Sequence, residues 1–78
     1  MKKRLAILGS TGSIGTQALE IVRAHPHLFV VEVLTANNNA ELLIQQALTY
    51  SPSKVVIANP EKYHQVSNAL QKSGIEVY

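Results

Sequence analysis

Cysteine is absent from the 78 residues. That excludes disulfides, thiolate metal sites and a cysteine nucleophile. Charge of one sign is scarce as well: seven Lys and Arg stand against five Asp and Glu, for a net +2. Apart from Lys2-Lys3-Arg4 the basic residues are not gathered on one element, so nucleic acid is not an expected partner. No apolar run reaches membrane-spanning length. The run after the basic start, Leu5 to Leu8, is too short for the core of a signal peptide. Aromatic residues are few; Tyr50, Tyr63 and Tyr78 are scattered, which suits packing rather than base stacking. Nor is there an acid cluster or a nucleophile–base pair. The expectation is a cytoplasmic protein with no nucleic-acid or membrane partner, and with no catalytic or metal residue in this chain.

What is present is an alternation of apolar runs and amphipathic stretches. Leu5-Ala6-Ile7-Leu8, halted by Gly9, predicts a buried strand. Ile14, Ala18, Ile21 and Val22 follow helical spacing, and His25-Pro26 ends that helix because a residue before proline disfavours the helical region. Phe29 to Leu34 is rich in β-branched residues and predicts a second strand. Asn37-Asn38-Asn39 marks a turn and offers an N-cap to a helix built on Ala40, Leu43, Ile44, Ala47 and Leu48. Ser51-Pro52 closes it. Lys54 to Ala58 predicts a third strand, and Asn59-Pro60 opens a third helix with Tyr63, Val66, Ser67 and Leu70 inside. Gly74 sits where a left-handed C-terminal residue is expected, and Ile75 to Tyr78 begins a fourth strand.

This β-α-β-α-β-α-β pattern implies an α/β fold: a Rossmann-like, three-layer parallel sheet with right-handed crossovers. In a doubly wound sheet the expected strand order is 3-2-1-4, with the crevice between strands 1 and 4. A chain that stops inside an apolar strand is expected to be an incomplete N-terminal domain over residues 1–78, the truncated half of a larger doubly wound domain.

The richest segment is Gly9-Ser10-Thr11-Gly12-Ser13-Ile14-Gly15. Its three glycines fall after the first strand and open the first helix, the context a dinucleotide fingerprint requires, although the spacing is GxxGxxG rather than GxGxxG. Gly9 permits a tight turn, and Gly12 lets the backbone approach a pyrophosphate. Gly15 costs about 1 kcal/mol against alanine within the helix, which close packing of that helix on the first strand would offset. Free N–H groups at the helix start would hold phosphates. A turn of this composition can also bind nothing; its place in a βαβαβ pattern favours a nucleotide.

NAD-binding domains usually carry an acid at the end of the second strand for the ribose 2′-hydroxyl. Here that end is Leu34-Thr35-Ala36-Asn37, with Glu32 lying earlier, inside the strand. The missing acid favours NADP(H). No Lys or Arg follows at once, so Asn37, Asn38 and Asn39 are left as amide donors, with Asn39 equally able to cap the helix.

Leu8-Gly9-Ser10-Thr11-Gly12-Ser13-Ile14-Gly15 closely resembles the opening of the 1-deoxy-D-xylulose 5-phosphate reductoisomerase family. Pro26 with Phe29-Val30-Val31, Leu34-Thr35-Ala36 with Asn39, and Ser51-Pro52 before a Val-rich strand extend the resemblance along the chain. It implies an NADPH-dependent oxidoreductase of non-mevalonate isoprenoid biosynthesis. Such an enzyme rearranges and reduces 1-deoxy-D-xylulose 5-phosphate, a phosphorylated sugar, to 2-C-methyl-D-erythritol 4-phosphate. It further implies a divalent metal, Mg or Mn, and a homodimer for the full-length enzyme. The family's metal ligands and active-site loop belong to later segments, so this chain alone is expected to be inactive. Carried over by position, Thr11, Gly12, Ser13 and Ile14 contact the pyrophosphate region, and Asn37, Asn38 and Asn39 surround the adenosine ribose and its 2′-phosphate. Many members have Gly-Lys or Gly-Arg where Asn37-Asn38 stands. The competing expectations are another NADP oxidoreductase, such as a semialdehyde dehydrogenase, and a non-enzymatic nucleotide-binding module.

Overall fold

The structure is a computed structural model and describes residues 2–78. In chain order it comprises β1 (Lys3–Ile7), α1 (Ser13–Ala24), β2 (Phe29–Ala36), α2 (Ala40–Tyr50), β3 (Lys54–Ile57), a 3-10 turn (Pro60–Lys62), α3 (Tyr63–Ala69) and β4 (Glu76–Val77). The helix boundaries have local causes. Asn39 caps α2, its side chain accepting from the Leu42 N–H at 3.2 Å. α2 ends at Ser51, which adopts the left-handed conformation (φ 50°) ahead of Pro52. Asn59 accepts from the Glu61 N–H, but Pro60 opens only the 3-10 turn, and the regular helix begins at Tyr63.

The four strands are all parallel, in the order β1-β2-β3-β4. This corrects the expected 3-2-1-4 order: β4 adds to β3, not to the free side of β1. The connection explains it. α3 has seven residues and is about 10 Å long at 1.5 Å per residue. Reaching the far side of β1 would mean crossing three strand spacings, about 14 Å, and changing face. The short route to the neighbouring position is taken instead, with Gly74 (φ 82°) making the final reversal. Glu76 then donates to the Ser53 carbonyl and Tyr78 to that of Val55.

The Tyr50 hydroxyl donates to the Leu19 carbonyl, binding α2 to α1, and α2 also packs on α3. The three helices therefore share one face of the sheet, and residues 2–78 form two layers, helix on sheet. The core lies between them, with Leu34, Leu43, Val55 and Val66 fully buried. Each such side chain contributes about 1.5–3 kcal/mol on burial. Register between β1 and β2 shifts between Leu5 and Ala6, which pair with Val31 and Val33. Glu32 is the extra residue. This bulge inverts the alternation, so that Val31, Leu34 and Ala36 all turn inward, where strict alternation would have sent Leu34 out.

Two helix faces differ from expectation. α1 buries Gly15, Leu19 and Val22, whereas Ile14 and Ile21 are 82% and 58% exposed. The close seat of Gly15 turns the 15-19-22 stripe inward and leaves Ile14 and Ile21 one step, about 100°, away from it. On α2, Gln46 is buried and Leu48 is 58% exposed.

Candidate cofactor-binding site

The turn joining β1 to α1 is held by Thr35 of β2 and Gln46 of α2. Gly9 has φ 69°, a conformation side chains rarely adopt, and donates its N–H to Thr35 Oγ1 at 3.0 Å. The next N–H, of Ser10, donates to the Thr35 carbonyl at 2.8 Å. Ser10 is fully buried; its hydroxyl donates to Gln46 Oε1 at 2.7 Å, and Gln46 Nε2 donates to the Ser10 carbonyl at 2.8 Å. A backbone carbonyl only accepts, so the amide orientation of Gln46 is fixed by this pair.

Glycine is required at position 15 by contact. A Cβ there would lie 2.6 Å from Ser10 Cα and 2.9 Å from the Gly9 carbonyl carbon, with the Gly9 oxygen closer still. The close packing expected of Gly15 is thus against the turn itself rather than the strand. Gly12 differs. It precedes α1 at φ −79° and ψ 174°, which any residue adopts, and a Cβ would meet only the Gly9 oxygen, at 3.4 Å. Nothing within the protein demands glycine at position 12; an approaching ligand would.

No side chain caps α1, and among the described residues the N–H groups of Ser13, Ile14 and Gly15 have no acceptor. These free donors, at the end of a helix carrying about half a positive charge, suit a phosphate. Ser13 and Ile14 are exposed beside them and Thr11 is half-buried.

The second loop, Asn37 to Asn39, leaves the carboxyl end of β2. Asn37 accepts from the Asn59 N–H at 2.9 Å. Asn38 Oδ1 accepts from Asn59 Nδ2 at 2.9 Å, and Asn39 caps α2 as described. The Ser10–Thr35 bond joins the ends of β1 and β2. The seven residues singled out from the sequence therefore lie in two loops and the first turn of α1, at one end of the sheet, the carboxyl end, where ligands bind in open α/β folds. With β4 on β3, no crevice forms between strands 1 and 4.

Sequence reasoning missed Thr35, Gln46 and Lys62. A polar residue on the inner stripe of α2 was the available signal for Gln46. Lys62 lines a cleft of about 170 Å³ with Asn38, Asn39, Ala40, Glu41 and Gln65. A larger cavity, about 300 Å³, lies at the opposite end of the sheet among Arg23, Pro26, Phe29 and Tyr50 and touches neither loop. Among the described residues no group of three or more His, Cys, Asp or Glu is placed to hold a metal. Among the described residues no helix is long and apolar enough to cross a membrane.

A parallel α/β unit with a glycine turn after its first strand, and free amides opening the next helix, defines a dinucleotide-binding fold of Rossmann type. Residues 5–78 match the family model of 1-deoxy-D-xylulose 5-phosphate reductoisomerase. The reductoisomerase of Phocaeicola vulgatus is 56% identical over the whole of this chain, which spans 20% of that protein. The Porphyromonas gingivalis enzyme is 59% identical, again over the whole chain and 20% of the relative. Among solved structures, the Zymomonas mobilis reductoisomerase in complex with NADPH superposes with a TM-score of 0.94 at 32% identity, covering 99% of this chain and 20% of that one. A reductoisomerase bound to NADPH, fosmidomycin and magnesium gives 0.89 at 32% identity, over 96% and 19%. The chain belongs to the 1-deoxy-D-xylulose 5-phosphate reductoisomerase family and spans about a fifth of the length of these relatives. Membership sets aside the semialdehyde-dehydrogenase alternative.

Proposed function

We propose that residues 1–78 form the N-terminal, NADPH-binding part of a reductoisomerase that rearranges 1-deoxy-D-xylulose 5-phosphate and reduces it to 2-C-methyl-D-erythritol 4-phosphate. The observation that carries this reading is the Gly9–Gly15 turn. It is braced internally by Thr35 and Gln46, and it faces outward with free amides and a bare Gly12. NADPH supplies the hydride. This chain's part is to bind the cofactor: Thr11, Gly12, Ser13 and Ile14 at the pyrophosphate, Asn37, Asn38 and Asn39 at the adenosine ribose and its 2′-phosphate. No catalytic or metal-binding residue is assigned to these residues. The divalent metal (Mg or Mn), the phosphorylated sugar and the homodimer belong to the full-length enzyme, working in the cytoplasm, and this chain alone is inactive. A relative with NADPH bound supports the cofactor, and one bound to fosmidomycin and magnesium supports the metal.

Gly12→Val tests the reading. The backbone tolerates a side chain there, so the variant folds, but its branched Cβ stands where the pyrophosphate approaches. Loss of two charge-assisted hydrogen bonds at about 1.5–3 kcal/mol each weakens NADPH by at least about 100-fold. A folded variant with parental NADPH affinity would refute the assignment of this turn.

A further inference from the structure

The second loop raises a question of charge, because an adenosine 2′-phosphate needs a cation and Asn37-Asn38 supplies none. A chain of hydrogen bonds at the carboxyl ends of β2 and β3 brings one from elsewhere. Asn59 Oδ1 accepts from the Glu61 N–H, which fixes the Asn59 amide and turns its Nδ2 toward Asn38. Asn38 must therefore present Oδ1 to Asn59, leaving its own Nδ2 free to donate. Asn39 presents Oδ1 to the Leu42 N–H, so its Nδ2 is free likewise. The Lys62 N–H donates to the Asn59 carbonyl at 3.0 Å, seating Lys62 on the same bracket. The result is a cleft of about 170 Å³ that Lys62 lines together with Asn38 and Asn39. The side chains that line it carry two free amide groups and one ammonium, a donor set suited to a phosphate dianion. The charged groups lining it are Lys62 and Glu41. Glu41 lies in the first turn of α2, where the helix end favours its charge. Its carboxylate opposes an entering phosphate.

We infer that Lys62 is the specificity-determining cation for the adenosine 2′-phosphate, reaching it from the turn after β3 in place of a Lys or Arg on the loop after β2. The inference rests on the NADPH reading above. It makes the preference for NADPH over NADH a property of two loops joined through the Asn38–Asn59 bond.

The test is made in the full-length chain, with dissociation constants for NADPH and NADH measured on the parent, Lys62→Gln, Lys62→Arg and Glu41→Gln. Loss of one charge-assisted contact makes Lys62→Gln bind NADPH about tenfold more weakly, with NADH within about twofold of the parent. Lys62→Arg retains the preference, and Glu41→Gln tightens NADPH alone. An unchanged NADPH-to-NADH ratio in Lys62→Gln, or an equal loss for both cofactors, overturns the inference while leaving the NADPH reading intact. A parent that prefers NADH, or binds neither, overturns that reading and the inference with it, before any substitution is made.

Discussion

Gly15→Ala sets two physical effects against each other. In the middle of a helix this change ordinarily stabilises, by about 1 kcal/mol, because alanine loses less backbone entropy on folding. Here the added methyl enters backbone. It would lie 2.6 Å from Ser10 Cα and 2.9 Å from the Gly9 carbonyl carbon, well inside the contact distance of about 3.5–4.0 Å for carbon pairs. No side chain can rotate aside, and the turn cannot retreat, since Thr35 and Gln46 hold it from behind. α1 must move outward by about 1 Å, loosening Leu19 and Val22, or the turn must break its bonds. Overpacking costs about 1–3 kcal/mol in an adaptable core and more where the obstacle is rigid. The net expectation is destabilisation by about 2–4 kcal/mol, out of the roughly 4–12 kcal/mol available to a chain of this length. Urea unfolding followed by circular dichroism measures it, with an unchanged slope showing that the denatured state is the same. A Gly15→Ala variant as stable as the parent, or more stable, would refute the claim that contact rather than conformation requires glycine there.

Two further changes probe the frame of the site. Gln46→Leu fills the same space without bonding and strands the Ser10 hydroxyl and carbonyl, costing about 1–3 kcal/mol for each buried group left unpaired. Its urea midpoint falls and NADPH weakens, with Gln46→Glu, which still accepts from Ser10 but no longer donates, in between. Ser51→Gly removes a left-handed serine and stabilises the chain by about 0.5–1 kcal/mol, raising its melting temperature by several degrees.

The fold class was legible because strand and helix periods alternate cleanly and each helix carries its own punctuation: His25-Pro26 after the first, Asn39 and Ser51-Pro52 around the second, Asn59-Pro60 and Gly74 around the third. Strand order was not. It depends on how far α3 and its flanking turns can carry the chain, which no local period encodes. The rotation of α1 was hidden for a related reason. Ile14 and Ile21 outrank Gly15 in hydrophobicity, but the contact of Gly15 with the turn decides which face goes in. The glycine turn could be read from the spacing and position of its residues. Its supports could not, since Thr35 and Gln46 lie 26 and 36 residues away from their partners. Lys62 was hidden by sequence distance too: a lysine beside a glutamate on a helix start looks like solvent-facing charge until Asn59, 21 residues from Asn38, is seen bridging Asn38 and Lys62.

On the function proposed above, NADPH binds at the carboxyl end of this sheet, at the glycine turn and the Asn37–Asn39 loop. The most direct measurement is a titration of the chain with NADPH and NADH, followed by amide NMR shifts. Binding there shifts Gly12 and Ser13 with both cofactors, and shifts Asn37, Asn38 and Asn39 more with NADPH than with NADH. A folded chain in which NADPH moves none of these amides, or moves instead those around Arg23 and Tyr50 at the opposite end, would contradict it.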